Sequence, residues 1–156
     1  MGTAIYQHVS PFCNRTVELT GRFIYVREEK SGLGAVLPLK GRAQAYEFAA
    51  EQVDKVTIYY QSKRMARLAR RLGLNWSRED DTEANQCPRL SIVFRDARRK
   101  RRLIIDGTGI YRLEISDVYH EKGRRATGWA GLALFANAVA AIIGDRRVVR
   151  KRWTLY

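Results

Sequence analysis

Alternation of apolar and polar residues is sharpest between Arg89 and Ser116. Leu90, Ile92 and Phe94 are interleaved with Ser91 and Val93, the period-two pattern of a strand with one side on a core. Leu103-Ile104-Ile105 follows, then Asp106-Gly107-Thr108-Gly109, whose glycines suit a tight turn, and Ile110 to Ile115 alternates again. The pattern predicts a three-stranded antiparallel meander: strand, basic turn, strand, glycine turn, strand. The first turn carries Arg98, Arg99, Lys100, Arg101 and Arg102. Five adjacent cations cannot be buried without partners, so they are expected at a projecting hairpin tip.

The earlier chain reads mostly as β structure. Ala4-Ile5-Tyr6 predicts a short strand and Pro11 to Arg15 a loop; Thr16 to Glu28 predicts one long strand bent by a bulge at Gly21. A turn at 29–34 leads to a strand at Ala35-Val36-Leu37, which Pro38 ends. Gly41 to Gln52 is alanine-rich and reads as a helix, followed by a β-branched and aromatic strand at 56–60.

Ser62 is placed to cap a helix from Lys63 to Leu72, with Gly73 at its C-terminal end. Met65, Leu68 and Leu72 recur at three- and four-residue spacing and are expected to face a core, with Lys63, Arg64, Arg67, Arg70 and Arg71 on the other side. A helix-turn-helix is excluded, because Asn75 to Asp81 turns acidic where a recognition helix should begin. Residues 79–88 read as a loop and 117–125 as a polar connection.

Thr127 to Ile143 is apolar nearly all round: Trp129, Leu132, Phe135, Val139, Ile142 and Ile143 stand among alanines. As a helix it spans about 25 Å, short of the ~30 Å hydrocarbon thickness of a bilayer. A core helix packed on the sheet is expected. Val148-Val149 and residues 153–156 then suggest a last strand or extended tail with Arg146, Arg147, Arg150, Lys151 and Arg152.

The predicted class is therefore α+β: antiparallel sheets packed by an apolar helix in the C-terminal half and by a cationic amphipathic helix. At 156 residues with 46% hydrophobic content, a single domain over 1–156 is expected. Composition changes this picture through its charge. The net charge is +13, and it is uneven: residues 1–62 hold 7 basic and 6 acidic side chains, residues 63–156 hold 22 and 10. A near-neutral first part followed by a strongly basic one favours polyanionic partners.

Candidate chemistry adds little. Cys13 and Cys87 form neither a disulfide framework nor a Cys-x-x-Cys pair, and no signal peptide opens the chain, so free thiols and a cytoplasmic location are expected. His8 has no acidic or cysteine partner nearby in sequence. Asp106, Glu114, Asp117, His120, Glu121 and Lys122 are the material for a small metal-dependent nuclease, but Glu114-Ile115-Ser116 lacks the lysine of a restriction-type core. No phosphate loop, nucleophile elbow or dinucleotide fingerprint occurs. No catalytic residue, metal site or cofactor is predicted.

The sequence thus favours a non-enzymatic protein that binds DNA or RNA through non-specific phosphate contacts. The expected contacts are Arg64, Arg67 and Arg71 of the helix, Arg98 to Arg102 of the hairpin, and Arg146, Arg147, Arg150, Lys151 and Arg152 of the tail. Tyr59, Tyr60, Trp76, Tyr111 and Trp153 are candidate stacking platforms. The alternative is a subunit of a larger complex or particle whose basic surface meets an acidic protein or, less favoured, a membrane surface.

Overall fold

A computed structural model describes residues 2–9, 13–30, 44–76, 85–116 and 121–153. Among these residues ten strands form two sheets: β1 (Gly2–Val9), β2 (Cys13–Thr20), β3 (Phe23–Lys30), β4 (Gln44–Ala49), β5 (Val53–Tyr60), β6 (Arg89–Asp96), β7 (Arg99–Asp106), β8 (Ile110–Ser116), β9 (Glu121–Thr127) and β10 (Val148–Arg152). The first sheet is antiparallel with order β4-β3-β2-β1-β8-β9. The second has order β10-β5-β6-β7 and is mixed, because β10 runs parallel to β5. Two helices, α1 (Lys63–Arg71) and α2 (Gly128–Ile143), complete the α+β fold that the sequence predicts.

Alternation places the core. Tyr6, Val17, Leu19, Ile24, Val26 and Phe48 point inward from the first sheet; Val56, Ile58, Leu90, Ile92, Phe94, Leu103 and Ile105 do so from the second. Between them lies α2, packed on β1, β8 and β9 on one side and on β5 and β6 on the other. This position explains why the helix has no polar face: Leu132, Phe135, Ala136 and Val139 are all fully buried. Elsewhere the sheets meet directly, and Phe48 of β4 stacks on Phe94 of β6 with centroids 3.9 Å apart. Among the described residues, no helix is long and apolar enough to cross a membrane.

The structure corrects several expectations. Gly21, with φ of 59°, belongs to a tight turn between two strands, so residues 16–28 are a hairpin rather than one bent strand. Residues 44–49 form a strand followed by a 3-10 turn at Ala50–Gln52, not a helix. There Tyr46, Phe48 and Ala50 share the inward side, and pairing with β3 outweighs the helix propensity of the alanines. Within 117–125, strand β9 begins at Glu121. The stretch 89–116 is a hairpin plus a crossover: β6 and β7 pair in the second sheet, whereas β8 leaves after the glycine turn to pair with β1 and β9 in the first. The sheet meander of this protein is β1-β2-β3-β4 instead. The strand expected at 35–37 and the tail at 154–156 lie outside the described residues.

Helix α1 is capped as expected, the Ser62 Oγ accepting from the Met65 N–H at 3.3 Å. Its inward side is not. Ala66 and Ala69 are the buried residues, seated against Trp129, while Leu68 and Leu72 are exposed. Only small side chains allow this close approach of the helix to the indole, so the larger apolar stripe turns outward.

Candidate nucleic-acid interface

The basic run is not a projecting loop. Strand β6 ends at Asp96 and β7 begins at Arg99, leaving Ala97 and Arg98 as the turn, with Ala97 at φ 55°. Arg99, Lys100, Arg101 and Arg102 therefore lie on an edge strand, where successive side chains point to opposite faces. The pairing fixes which. Arg101 faces Phe94, the inward side, and Lys100 and Arg102 face Arg95 and Val93, the outward side.

Arg101 is half-buried. Its guanidinium lies 4.4 Å from the centroid of the Tyr46 ring and 5.7 Å from that of Phe94, and its Nη1 is 3.2 Å from Asp96 Oδ2. Burial, with Glu28 nearby, raises the Tyr46 hydroxyl above its ordinary pKa, and Arg101 opposes that shift. Arg101 thus closes the end of the aromatic stack rather than standing free for a ligand.

Arg147 is a second expected contact that the structure uses internally. Its Nη1 donates to the carbonyls of Ala50 and Val53, each at 2.9 Å, and its Nη2 to that of Ile143 at 2.7 Å. It ties the end of α2 to the start of β5. Arg150 donates to Asn137 Oδ1 of α2 at 3.2 Å. Arg64, Arg67, Arg71, Arg98, Arg99, Arg146, Lys151 and Arg152 are exposed.

These cations do not merge into one cluster. Strands β7 and β10 are opposite edges of the second sheet. The hairpin turn lies at one end of its strands; α1 follows the other end, where the Gln61 side chain donates to the Trp153 carbonyl at 3.2 Å. What joins the two ends is the outer face of the sheet. Cross-strand neighbours there are Lys151, Tyr59, Arg89 and Asp106 in one row, the uncharged Val149, Thr57, Ser91 and Ile104 in the next, then Lys55, Val93 and Arg102, followed by Arg95 and Lys100. From Lys100 to Asp106 the band runs about 20 Å at the usual strand rise.

That uncharged row and two carboxylates interrupt it. Asp54, turned outward by the register shift between Val53 and Lys55, lies 3.1 Å from Arg95 Nε and 3.8 Å from Lys100 Nζ, and Asp106 pairs with Arg89 at 3.0 Å. All three pairs are solvent-exposed enough that each contributes little to stability. They leave the face net positive, with Lys55, Arg102 and Lys151 exposed. Lys55, Arg89 and Arg95 were missed among the sequence-predicted contacts. The signal was present: they occupy the outward positions of the same alternation that puts Val56, Leu90 and Phe94 in the core.

The candidate stacking residues are split. Tyr59 lies half-buried on the outer face between Lys151 and Arg89, Tyr111 is buried in the core, and Trp153 packs edge-on against Trp129 at 6.0 Å. As for a nuclease, Asp106 and Glu114 belong to different sheets, and no group of three metal-ligating side chains occurs among the described residues. Asp117 and His120 lie outside them. Comparison of the chain with protein-family models, with curated proteins and with solved structures finds no match.

Proposed function

We propose that this protein binds nucleic acid without acting on it, DNA or RNA lying along the outer face of the β10-β5-β6-β7 sheet. The observation that carries this reading is the cationic band of Lys55, Arg89, Arg95, Lys100, Arg102 and Lys151 across four adjacent strands, with Tyr59 set within it. Arginine donates two parallel hydrogen bonds to a phosphate, and lysine adds point charge. A half-exposed tyrosine between two cations offers a face for an unpaired base.

Electrostatic contacts of this kind release counterions, so binding should weaken steeply with salt. The test is fluorescence anisotropy with single-stranded and duplex oligonucleotides over a salt series. Replacing Lys100, Arg102 and Lys151 together with Ala should lower the salt slope by about two to three units and leave the thermal midpoint unchanged or slightly raised, because like-charge repulsion is relieved. A parent protein that binds neither DNA nor RNA at low salt overturns the reading. So does a triple variant with the parent's slope.

A further inference from the structure

We infer that α1 and the turn after it form a docking surface for an anionic lipid bilayer, adjoining the sheet face at Arg89 and Asp106. Leu68, Leu72, Leu74 and Trp76 are 45%, 65%, 57% and 43% exposed. Four large apolar side chains within nine residues are an unusual thing to leave in water. Leu68, Leu72 and Leu74 line a groove of about 300 Å³ with Trp129, Trp153 and, from the sheet, Arg89 and Asp106.

The order of side chains around α1 matches a bilayer interface. At 3.6 residues per turn, the buried side is Ala66 and Ala69; next come Arg70, Lys63 and Arg67, then Arg71 and Arg64, and finally Leu68, Leu72 and Met65, which border the groove. A guanidinium flank thus lies directly beside an apolar stripe. Residues 63–76 contain no acid; Glu79, Asp80, Asp81 and Glu83 follow outside the described residues. A basic flank and an apolar flank on one surface helix, ending in a tryptophan, is the arrangement that rests in the headgroup and acyl boundary.

Charge complementarity and shape select this occupant over others. Phosphates of nucleic acid would pair with Arg64 and Arg71 but would leave Leu72 and Leu74 in water. A neutral apolar partner would cover the leucines but strand the guanidiniums. An anionic bilayer satisfies both at once: Leu72, Leu74 and Trp76 enter the acyl boundary, and the arginines remain at the level of the lipid phosphates. The turn is built to present them. Gly73 takes φ of 75°, and the N–H groups of Leu74 and Asn75 both return to the Ala69 carbonyl, at 2.8 and 3.1 Å, so the chain folds back with Leu72 and Leu74 outward.

Flotation of the full chain with phosphatidylcholine vesicles, with and without phosphatidylserine, tests this. The protein should float with the anionic vesicles only, and Trp76 emission should shift to the blue, a shift that W76F removes. Arg64→Gln with Arg71→Gln should weaken partitioning by about five-fold per charge. Leu72→Glu with Leu74→Glu should abolish flotation while leaving the circular dichroism, the thermal midpoint and oligonucleotide binding as in the parent. Absence of flotation of the parent, or flotation that the double glutamate variant retains, overturns the inference. A parent that light scattering shows to be a dimer, and that the same variant makes a monomer, also overturns it and assigns the surface to a second copy of this chain.

Discussion

The Tyr6 hydroxyl joins three parts of the molecule. It accepts from the Gly109 N–H at 2.8 Å, where the chain crosses between sheets, and lies 3.3 Å from the Gly128 carbonyl, to which it donates at the start of α2. Desolvation raises its pKa well above the usual tyrosine range. Tyr6→Phe leaves the ring packing on Phe135 but strands a buried N–H, and it should cost about 1–3 kcal/mol, read as a lowered thermal midpoint. An unchanged midpoint would mean that water replaces the hydroxyl. Cys87 tells a related story. Its thiol is buried, contacts the Arg89 carbonyl at 3.2 Å, and is pushed up to about 12 by desolvation. Cys13 is partly exposed, and neither cysteine is in a disulfide. Iodoacetamide at neutral pH should therefore label Cys13 in the native protein and Cys87 only after unfolding. The same shift has a consequence for stability: an unfolded thiol ionises near 8.5, so the unfolded chain loses its proton first. The contribution is complete below that pH and is lost as pH rises toward 12.

Elements differ in how much of them the sequence discloses. Strand β6 is legible because one face meets the core along its length, so the apolar Leu90, Ile92 and Phe94 fall at every second position. Strand β4 is not, since Tyr46 and Phe48 stand among alanines and only pairing with β3 decides between strand and helix. The site shows the same division. A run of cations at 98–102 is visible as charge, yet its division between two faces depends on the register with β6, which composition does not contain. On α1 two apolar stripes compete, and periodicity cannot say that the alanines, not Met65, Leu68 and Leu72, meet Trp129. Arg147 gives this scale its prediction. It holds the Ile143 carbonyl of α2 against those of Ala50 and Val53, three acceptors served by one side chain. Charge-assisted hydrogen bonds contribute about 1.5–3 kcal/mol each at most, and they share one guanidinium. Arg147→Ala should lower unfolding stability in urea by about 2–3 kcal/mol, whereas Arg146→Ala, exposed on the same turn, should change it by less than about 0.5 kcal/mol. Equal effects would show that the contact does not hold the two elements together.

At the scale of the whole molecule, a net charge of +13 opposes compaction, because most surface charges share one sign. Among the ion pairs of the described residues, Arg22–Glu51 at 2.7 Å, Arg89–Asp106 at 3.0 Å and Arg95–Asp54 at 3.1 Å are exposed at one partner or both and gain little individually. Repulsion acts over longer distances than these contacts. With a Debye length of about 30 Å at 0.01 M salt, cations at opposite ends of the second sheet, some 20 Å apart, still interact; at 0.15 M the length is about 8 Å and they do not. Screening should therefore remove more repulsion than attraction. The thermal midpoint is expected to rise between these two salt concentrations, with sodium chloride and without any specific ligand. A short oligonucleotide added at the lower concentration should raise it further, by binding the folded state alone. These two effects separate, since salt that raises the midpoint of the free protein should erase the increment due to the oligonucleotide. A midpoint that falls with salt would place the local ion pairs above the summed repulsion. An oligonucleotide increment that persists at high salt would mean that contacts other than phosphate neutralisation hold the nucleic acid.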